Sequence, residues 1–356
     1  MTAHRQLRSI LAPARCLAWL VCATAGWLAT PAAVVQAAEA GEQEERLEVL
    51  AETCLLRELQ QAGDDVTVGA LRDRCAREAE LAADSLLLAR MRREEAAEEL
   101  RSLLTPHRRN YLLPVAYVSS PNEDPFEDEL GEVPPADRLK NVEAKFQLSL
   151  KVSVADSLLT RRDRLYFGFT ALSFWQAYNR NVSAPFRETD YEPELFWATP
   201  IDWGPLGLDA GLVTVGISHQ SNGRSGNLSR SWNRVYASLA FEKENLVVTV
   251  KPWWRIPEDE KDDPFDAIGD DNPDIEKYLG HFELTTVYRR DAHEWSLMLR
   301  GNTGSGKGAV QVEWAFPLWR GVRGYAQYFN GYGESLIDYD AHMERIGVGI
   351  LLTDLL

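Results

Sequence analysis

The chain is 356 residues long, 45% hydrophobic and 10% aromatic, with 38 Lys+Arg against 54 Asp+Glu and a formal net charge of −16. That length allows one large domain plus an appendage, and the acidic excess excludes a phosphate-tracking nucleic-acid surface, which needs clustered cations. A mean hydropathy of −0.30 argues against a polytopic helical membrane protein, but not against a β-barrel, whose polar lumen cancels its apolar exterior in any average.

Residues 1–37 carry Arg5, Arg8 and Arg15, an apolar stretch from Cys16 through Ala29, and Val35-Gln36-Ala37 as a small-residue cleavage site. The pattern predicts a secretory signal peptide removed after Ala37; the competing reading, a retained anchor, is opposed by the short apolar core. Removal takes the charge from −16 to −19 and discards Cys16 and Cys22, leaving Cys54 and Cys75.

From 38 to 108 the chain reads as a helical hairpin, with a periplasmic contact module as its expected role. Leu47, Leu50, Cys54 and Leu55, then Leu71 and Cys75, then Leu86, Leu87 and Met91 recur at helical spacing. Gly63-Asp64-Asp65 breaks the run, and Thr67 can cap the second helix. Cys54 and Cys75 are equidistant from that turn. A disulfide there would staple two antiparallel helices, worth roughly 3 kcal/mol in the chain-entropy account; a redox pair, usually spaced Cys-x-x-Cys, is the alternative.

After Pro106 the period changes. Val142 to Val154 reads VEAKFQLSLKVSV, apolar at every even position and polar at every odd one. Thirteen residues of period two exceed the usual soluble strand and match a tilted strand crossing a bilayer. Similar stretches recur at 213–217, 235–241, 282–288, 295–299, 310–316 and 346–352, and Trp175, Trp197, Trp253, Trp254, Trp314 and Trp319 sit near strand ends. Residues 109–356 are therefore expected to form an all-β transmembrane antiparallel β-barrel of about twelve strands. Short turns are predicted at Lys243-Glu244-Asn245, Arg289–His293 and Pro317–Gly321, and longer outer loops at Gln176–Asp190, Pro257–Asp274 and Gly331–His342. Gly301–Gly308, which looks superficially like a phosphate loop, reads as another outer loop because a strand follows it. Glu143, Lys145, Gln147, Gln311 and Glu313 should face and fill the lumen. A soluble β-sandwich is the competing architecture; its strands would be shorter.

The segment Val213–Phe241 carries the chemistry. Val213, Val215 and Ile217 share their odd parity with His219 and Ser221, and Asn233 shares the parity of Val235, Ala237, Leu239 and Phe241 on the return strand. A hairpin centred on Gly226 sets His219 opposite Asn233, so three polar groups project from the lipid-facing side. Polar groups there need partners, and these three supply one another. The serine hydroxyl can donate to one imidazole nitrogen while the amide carbonyl accepts from the other, which is the logic of nucleophile, base and orienting group. An amide in place of the usual carboxylate suits a border where a buried anion is costly.

The run His219-Gln220-Ser221-Asn222-Gly223-Arg224-Ser225, followed by Ser229-Arg230-Ser231-Trp232-Asn233-Arg234, resembles the active-site hairpin of the outer-membrane phospholipase A family. Phe186–Phe196, Val250–Trp254, Asp270–Gly280, Gly331–Tyr339 and Gly347-Val348-Gly349 extend the resemblance over roughly 110–356. It implies a calcium-dependent hydrolase of acyl esters in phospholipids and lysophospholipids (phospholipase A1/A2 type), located in the Gram-negative outer membrane and active as a homodimer. Ser221 would be the nucleophile, His219 the general base and acid, and Asn233 the orienting residue, with the N–H groups of Ser221 and Gly223 holding the oxyanion. Ca2+ would take the Arg224 carbonyl, the Ser229 hydroxyl and the partner subunit's Ala184 carbonyl, with Asp271 as the acid of a second site. Gln176 would match the polar residue buried at the family's dimer interface. Three departures stand out: Gly226 where the pattern often has Asp, Ala184 in place of Ser, and Leu356 rather than an aromatic residue at the chain end. The competing functional class is a non-catalytic outer-membrane barrel, a channel or assembly factor, which would need an open lumen or an exposed docking face.

Overall fold

The structure is a computed structural model that describes residues 51–52, 54–55, 59, 67–83, 85–99, 104–127, 138–184, 186–201, 203–205, 211–263, 265–266, 268–319 and 322–353. The export segment, the Gly63-Asp64-Asp65 turn and the chain end at Leu356 lie outside the described residues. The chain divides into two units, Met1–Ala83 and Asp84–Leu356.

In the first unit, α1 (Val68–Ala83) begins as its sequence requires: Thr67 Oγ1 accepts the Ala70 N–H at 3.3 Å. Leu71 and Cys75 form its buried face, and Cys75 is joined to Cys54, 21 residues earlier, in a disulfide.

In the second unit, twelve antiparallel strands follow in order: β1 (Asn110–Val118), β2 (Val142–Asp156), β3 (Arg164–Trp175), β4 (Glu188–Ile201), β5 (Gly211–Ser221), β6 (Ser231–Lys243), β7 (Leu246–Ile256), β8 (Phe282–Arg290), β9 (His293–Asn302), β10 (Lys307–Trp319), β11 (Val322–Gly331) and β12 (Met343–Thr353). Each pairs with the next, and β12 pairs back onto β1, so the sheet closes into a barrel without edges. Among the described residues no helix is long and apolar enough to cross a membrane.

Period two explains the inside and the outside. Leu148, Phe167, Val215, Ile217 and Val348 are apolar, point outward and stay exposed, which is stable only against hydrocarbon. At the short-turn end Tyr288, His293, Trp295, Trp314 and Phe316 stack into one aromatic band across β8, β9 and β10. The lumen is filled by ion pairs. Arg187 and Arg345 both reach Glu143 (3.0 and 2.7 Å), Arg345 and Lys145 both reach Glu334 (2.7 and 2.8 Å), and Arg187 also reaches Asp338 at 2.9 Å. A second set joins Arg108 and Arg234 to Glu192, each at 2.7 Å, with Tyr236 donating to Glu194 at 2.8 Å.

A helix, α2 (Leu86–Glu99), enters this lumen at the short-turn end. Ser85 Oγ accepts the Leu88 N–H at 3.0 Å, and the Leu87 N–H donates to Glu242 at 2.9 Å while its side chain packs on Ala240, Val247 and Val287. Arg90 donates to the His107 carbonyl at 2.7 Å, and Glu94 pairs with Lys151 at 2.7 Å. A cavity of about 200 Å³ remains beside it, bordered by Met91, Lys151, Tyr166 and Tyr236. A helix-rich composition runs through both α1 and α2, yet α2 belongs with the barrel, because its partners are lumen residues distant in sequence.

Candidate active site

The β5–β6 ladder pairs His219 with Asn233 and Ser221 with Ser231, so the hairpin is centred where parity placed it. Alternation sends Ser218, Trp232 and Arg234 into the barrel and His219 and Asn233 out of it. His219 Nδ1 and Asn233 Oδ1 are 2.8 Å apart. A carbonyl oxygen only accepts, so the hydrogen sits on Nδ1 and Nε2 keeps its lone pair. Ser221 lies two residues further along the same face, and among the described residues its hydroxyl has no hydrogen-bond partner. The structure therefore joins His219 to Asn233 directly and leaves Ser221 beside them, free to rotate toward either the imidazole or a substrate. On its other side Ser221 faces Tyr191, whose ring stacks on Phe169 and gives the serine an apolar neighbour.

The loop beyond Ser221 is closed by one buried side chain. Asn222 Nδ2 donates to the Leu228 carbonyl at 2.8 Å, and its Oδ1 accepts the Arg230 N–H at 3.0 Å and the Arg224 N–H at 3.3 Å. Gly223 and Gly226 have φ of +64° and +61°, a region that strains residues bearing a Cβ. At Gly226, where a Cβ would come within 2.8 Å of the Phe265 ring, the phenyl packs against the turn instead. The Arg224 guanidinium donates to the Phe186 carbonyl at 3.1 Å and to that of Arg187, and meets Glu188 at 3.3 Å, tying the loop to the segment that follows Ala184. Ala184 itself is exposed.

The oxygen donors fit calcium unevenly. Ser229 Oγ gives its proton to Asp271 at 3.0 Å, which leaves hydroxyl lone pairs for a cation alongside the Arg224 carbonyl. Asp271 is different. One of its carboxylate oxygens faces Lys261 Nζ at 2.6 Å, and the other accepts from Ser229 and Ser231, each at 3.0 Å. An ammonium thus already neutralises the carboxylate expected to bind metal, and Asp271 is not offered as a free ligand. Between them the turn at Gly226 and Asn227 and the Lys261–Asp271 pair border a pocket of about 240 Å³. Among the described residues no cluster of three or more His, Cys, Asp or Glu is arranged to hold a metal, so any cation here relies on carbonyl, hydroxyl and water oxygens.

Gln176 is corrected by the structure. Only 1% of it is exposed, because Trp175 points outward at the end of β3 and alternation turns the next residue inward. Its amide is spent on Glu143 at 3.0 Å and on the Lys140 backbone. One chain already buries it, and no partner surface is needed to do so.

Sequence reading missed four residues that hold the site: Asn222, Lys261, Asn272, whose Oδ1 accepts the Ser231 N–H at 3.0 Å, and Glu258, whose Oε1 accepts from Asn233 Nδ2 at 2.9 Å. Parity could have found Glu258. Asn233 pairs with Ile256 on β7, and Glu258 lies two residues on, at the same parity.

A family model described as "Phospholipase A1" matches residues 87–352. A putative phospholipase A1 of Neisseria meningitidis serogroup B is 39% identical over 266 residues, covering 72% of this chain and 68% of its own. The phospholipase A1 of Escherichia coli K12 is 37% identical over 252 residues, covering 71% and 82%. Two solved structures superpose with a TM-score of 0.63: outer membrane phospholipase A from Escherichia coli (36% identity, covering 71% of this chain and 95% of that one) and a Salmonella typhi outer membrane phospholipase dimer with bound calcium (37% identity, covering 71% and 93%).

Proposed function

Because the chain belongs to the phospholipase A1 family, we propose that it is a calcium-dependent homodimeric enzyme of the Gram-negative outer membrane. It is delivered there through a cleaved signal peptide and hydrolyses both A1 and A2 acyl esters of phospholipids and lysophospholipids. The observation that carries this is the His219–Asn233 hydrogen bond on the barrel's outer surface, two residues from Ser221 and level with exposed apolar strand faces.

In this reading Ser221 Oγ attacks the ester carbonyl carbon while His219 Nε2 takes its proton. The same nitrogen returns the proton to the departing glycerol oxygen, and water then releases the fatty acid from the acylated serine. Asn233 holds the ring through Nδ1 and stabilises the imidazolium. The N–H groups of Ser221 and Gly223 receive the oxyanion. Tyr191 and Phe169 offer the acyl chain an apolar wall. The Arg224 carbonyl, the Ser229 hydroxyl and the partner subunit's Ala184 carbonyl would hold calcium, which would supply positive charge to a polarised ester or bound water. The packed lumen supports the enzyme over a channel, since Glu143, Lys145, Arg187 and Arg345 fill the space a solute would need.

The test uses the purified protein with calcium and phospholipid–detergent micelles. Hydrolysis and sulfonyl-fluoride labelling should both vanish in Ser221→Ala; undiminished hydrolysis by that variant overturns the assignment.

A further inference from the structure

We infer that Glu258 is a fourth member of the Ser221–His219–Asn233 set, a positioning carboxylate placed one hydrogen bond behind the amide; this rests on the catalytic reading above. The chain of contacts is short: Glu258 Oε1 to Asn233 Nδ2 at 2.9 Å, and Asn233 Oδ1 to His219 Nδ1 at 2.8 Å.

An amide has a donating end and an accepting end, whereas a carboxylate only accepts. With Nδ2 committed to Glu258, the carbonyl must face the imidazole. The imidazole must then carry its hydrogen on Nδ1 and keep the Nε2 lone pair that takes the serine proton. Without Glu258, Asn233 can turn over and present its NH₂ to Nδ1. That stabilises the other tautomer, whose Nε2–H is no base. An acceptor at one end of the chain thereby selects the reactive form at the other. Glu258 also restores, at one remove, the anion that an Asn-containing triad lacks. As the imidazolium forms, the carboxylate behind the polarised amide stabilises its positive charge.

Glu258 is held where this requires. It follows the end of β7, two residues past Ile256, which is the ladder partner of Asn233. Its loop is fastened to the catalytic hairpin by Asp271, which accepts from Ser229 and Ser231 at 3.0 Å each, and by Phe265 against Gly226, and it closes on itself through the Lys261–Asp271 pair at 2.6 Å and the Glu260–Asp270 bridge. The loop is thus a lateral support of the site, while Asp259, Glu260, Asp262, Asp263 and Asp266 along it stay exposed.

The experiment compares wild type, Ser221→Ala, Glu258→Ala, Glu258→Asp and Glu258→Gln in calcium-containing phospholipid micelles, with Asp262→Ala, an exposed neighbour in the same loop, as control. Glu258→Ala should lower kcat about tenfold with KM unchanged, the lower end of the range for removing the outer partner of a metal-ligating histidine, and slow sulfonyl-fluoride labelling of Ser221 in parallel. Glu258→Asp and Glu258→Gln, which keep an acceptor, should recover part of the loss, and Asp262→Ala should behave as wild type. Long-range ¹H–¹⁵N spectra should show His219 protonated on Nδ1 in wild type and as a tautomer mixture in Glu258→Ala. Unchanged kcat and tautomer in Glu258→Ala overturn the proposal, as does an equal loss in Asp262→Ala, which would mark a loop-folding effect. Failure of the catalytic reading looks different: Ser221→Ala then matches wild type, while the tautomer spectra still decide whether Glu258 sets the imidazole.

Discussion

Lys261 and Asp271 form an ion pair of 2.6 Å beside the turn of the hairpin that carries Ser221, and Ser229 and Ser231, on the return side of that turn, donate to the same carboxylate. A charge that would otherwise call for a metal is thus balanced within the chain. Three carboxylates of the lumen follow the same pattern: Glu143, Glu192 and Glu334 each meet a cationic side chain. These four carboxylates need no metal ion to hold their place in the fold.

Calcium removal should therefore abolish hydrolysis and leave the barrel intact. Chelation is expected to shift Tm by less than about 2 °C, read by circular dichroism in detergent. In Lys261→Met the Asp271 carboxylate loses its ammonium, so calcium becomes its available counter-ion and Tm should rise on calcium addition through ligand linkage. A wild-type Tm that falls steeply on chelation would contradict this balance of charges.

Arg345 is 2% exposed and serves two carboxylates, Glu143 and Glu334, at 2.7 Å each. Replacing it by Met takes one of two cationic partners from each anion, leaving Glu143 with Arg187 and Glu334 with Lys145. Breaking a buried pair from one side costs about 3–5 kcal/mol, and denaturant unfolding in micelles should show a loss of that order. The outward-facing His219–Asn233 contact lies elsewhere, so the folded fraction should keep its specific activity.

The barrel was legible because period two is a geometric property of strands. The alternation over Val142–Val154 named Glu143 and Lys145 as lumen residues, and shared parity paired His219 with Asn233 before any register was known. Gln176 sits one residue past β3, and resemblance there overrode the alternation that already pointed it inward. Glu258 was lost in the acidic stretch 258–271, since charge density suggests solvation and gives no sign that one carboxylate of the group meets an amide on a neighbouring strand. The same holds for α2, whose composition does not distinguish it from α1. Its place is set by Glu242 and Lys151, which are remote in sequence.

The Glu94–Lys151 contact makes α2 docking pH-dependent in a defined direction. Burial raises the Glu94 carboxyl, but the Lys151 ammonium and the Arg90 guanidinium outweigh it, and the group titrates below its ordinary value of 4.5. A depressed folded value stabilises at every pH above the unfolded one, and the gain is lost as pH falls through the folded value. Hydrogen-exchange protection of the Leu87 and Ala89 amides should accordingly hold from neutral pH to about pH 5 and fall below it. Glu94→Gln should show weaker protection at neutral pH and lose this dependence; identical profiles for the two proteins would rule the contact out as the cause.

Asn222 offers the sharpest separation of loop geometry from chemistry. Its side chain is 5% exposed and makes three hydrogen bonds, to the Leu228 carbonyl and to the N–H groups of Arg224 and Arg230, so it fixes the path of the chain right after Ser221. Asn222→Ala leaves half-buried backbone groups without partners, each worth about 1–3 kcal/mol when fully buried, but the loop projects beyond the strands and can let water in. The global loss should stay near the lower figure, because the strand ladders do not pass through it. Activity should suffer more, since the N–H of Gly223 moves with the loop while His219 and Asn233 stay in the β5–β6 ladder. The expected outcome is a kcat reduced about a hundredfold, the scale for loss of one oxyanion donor, with KM little changed and the His219 tautomer as in wild type. An equal loss in Asn222→Ala and Asn233→Ala, with the same altered tautomer in both, would show that Asn222 acts through the imidazole instead of through the oxyanion N–H groups.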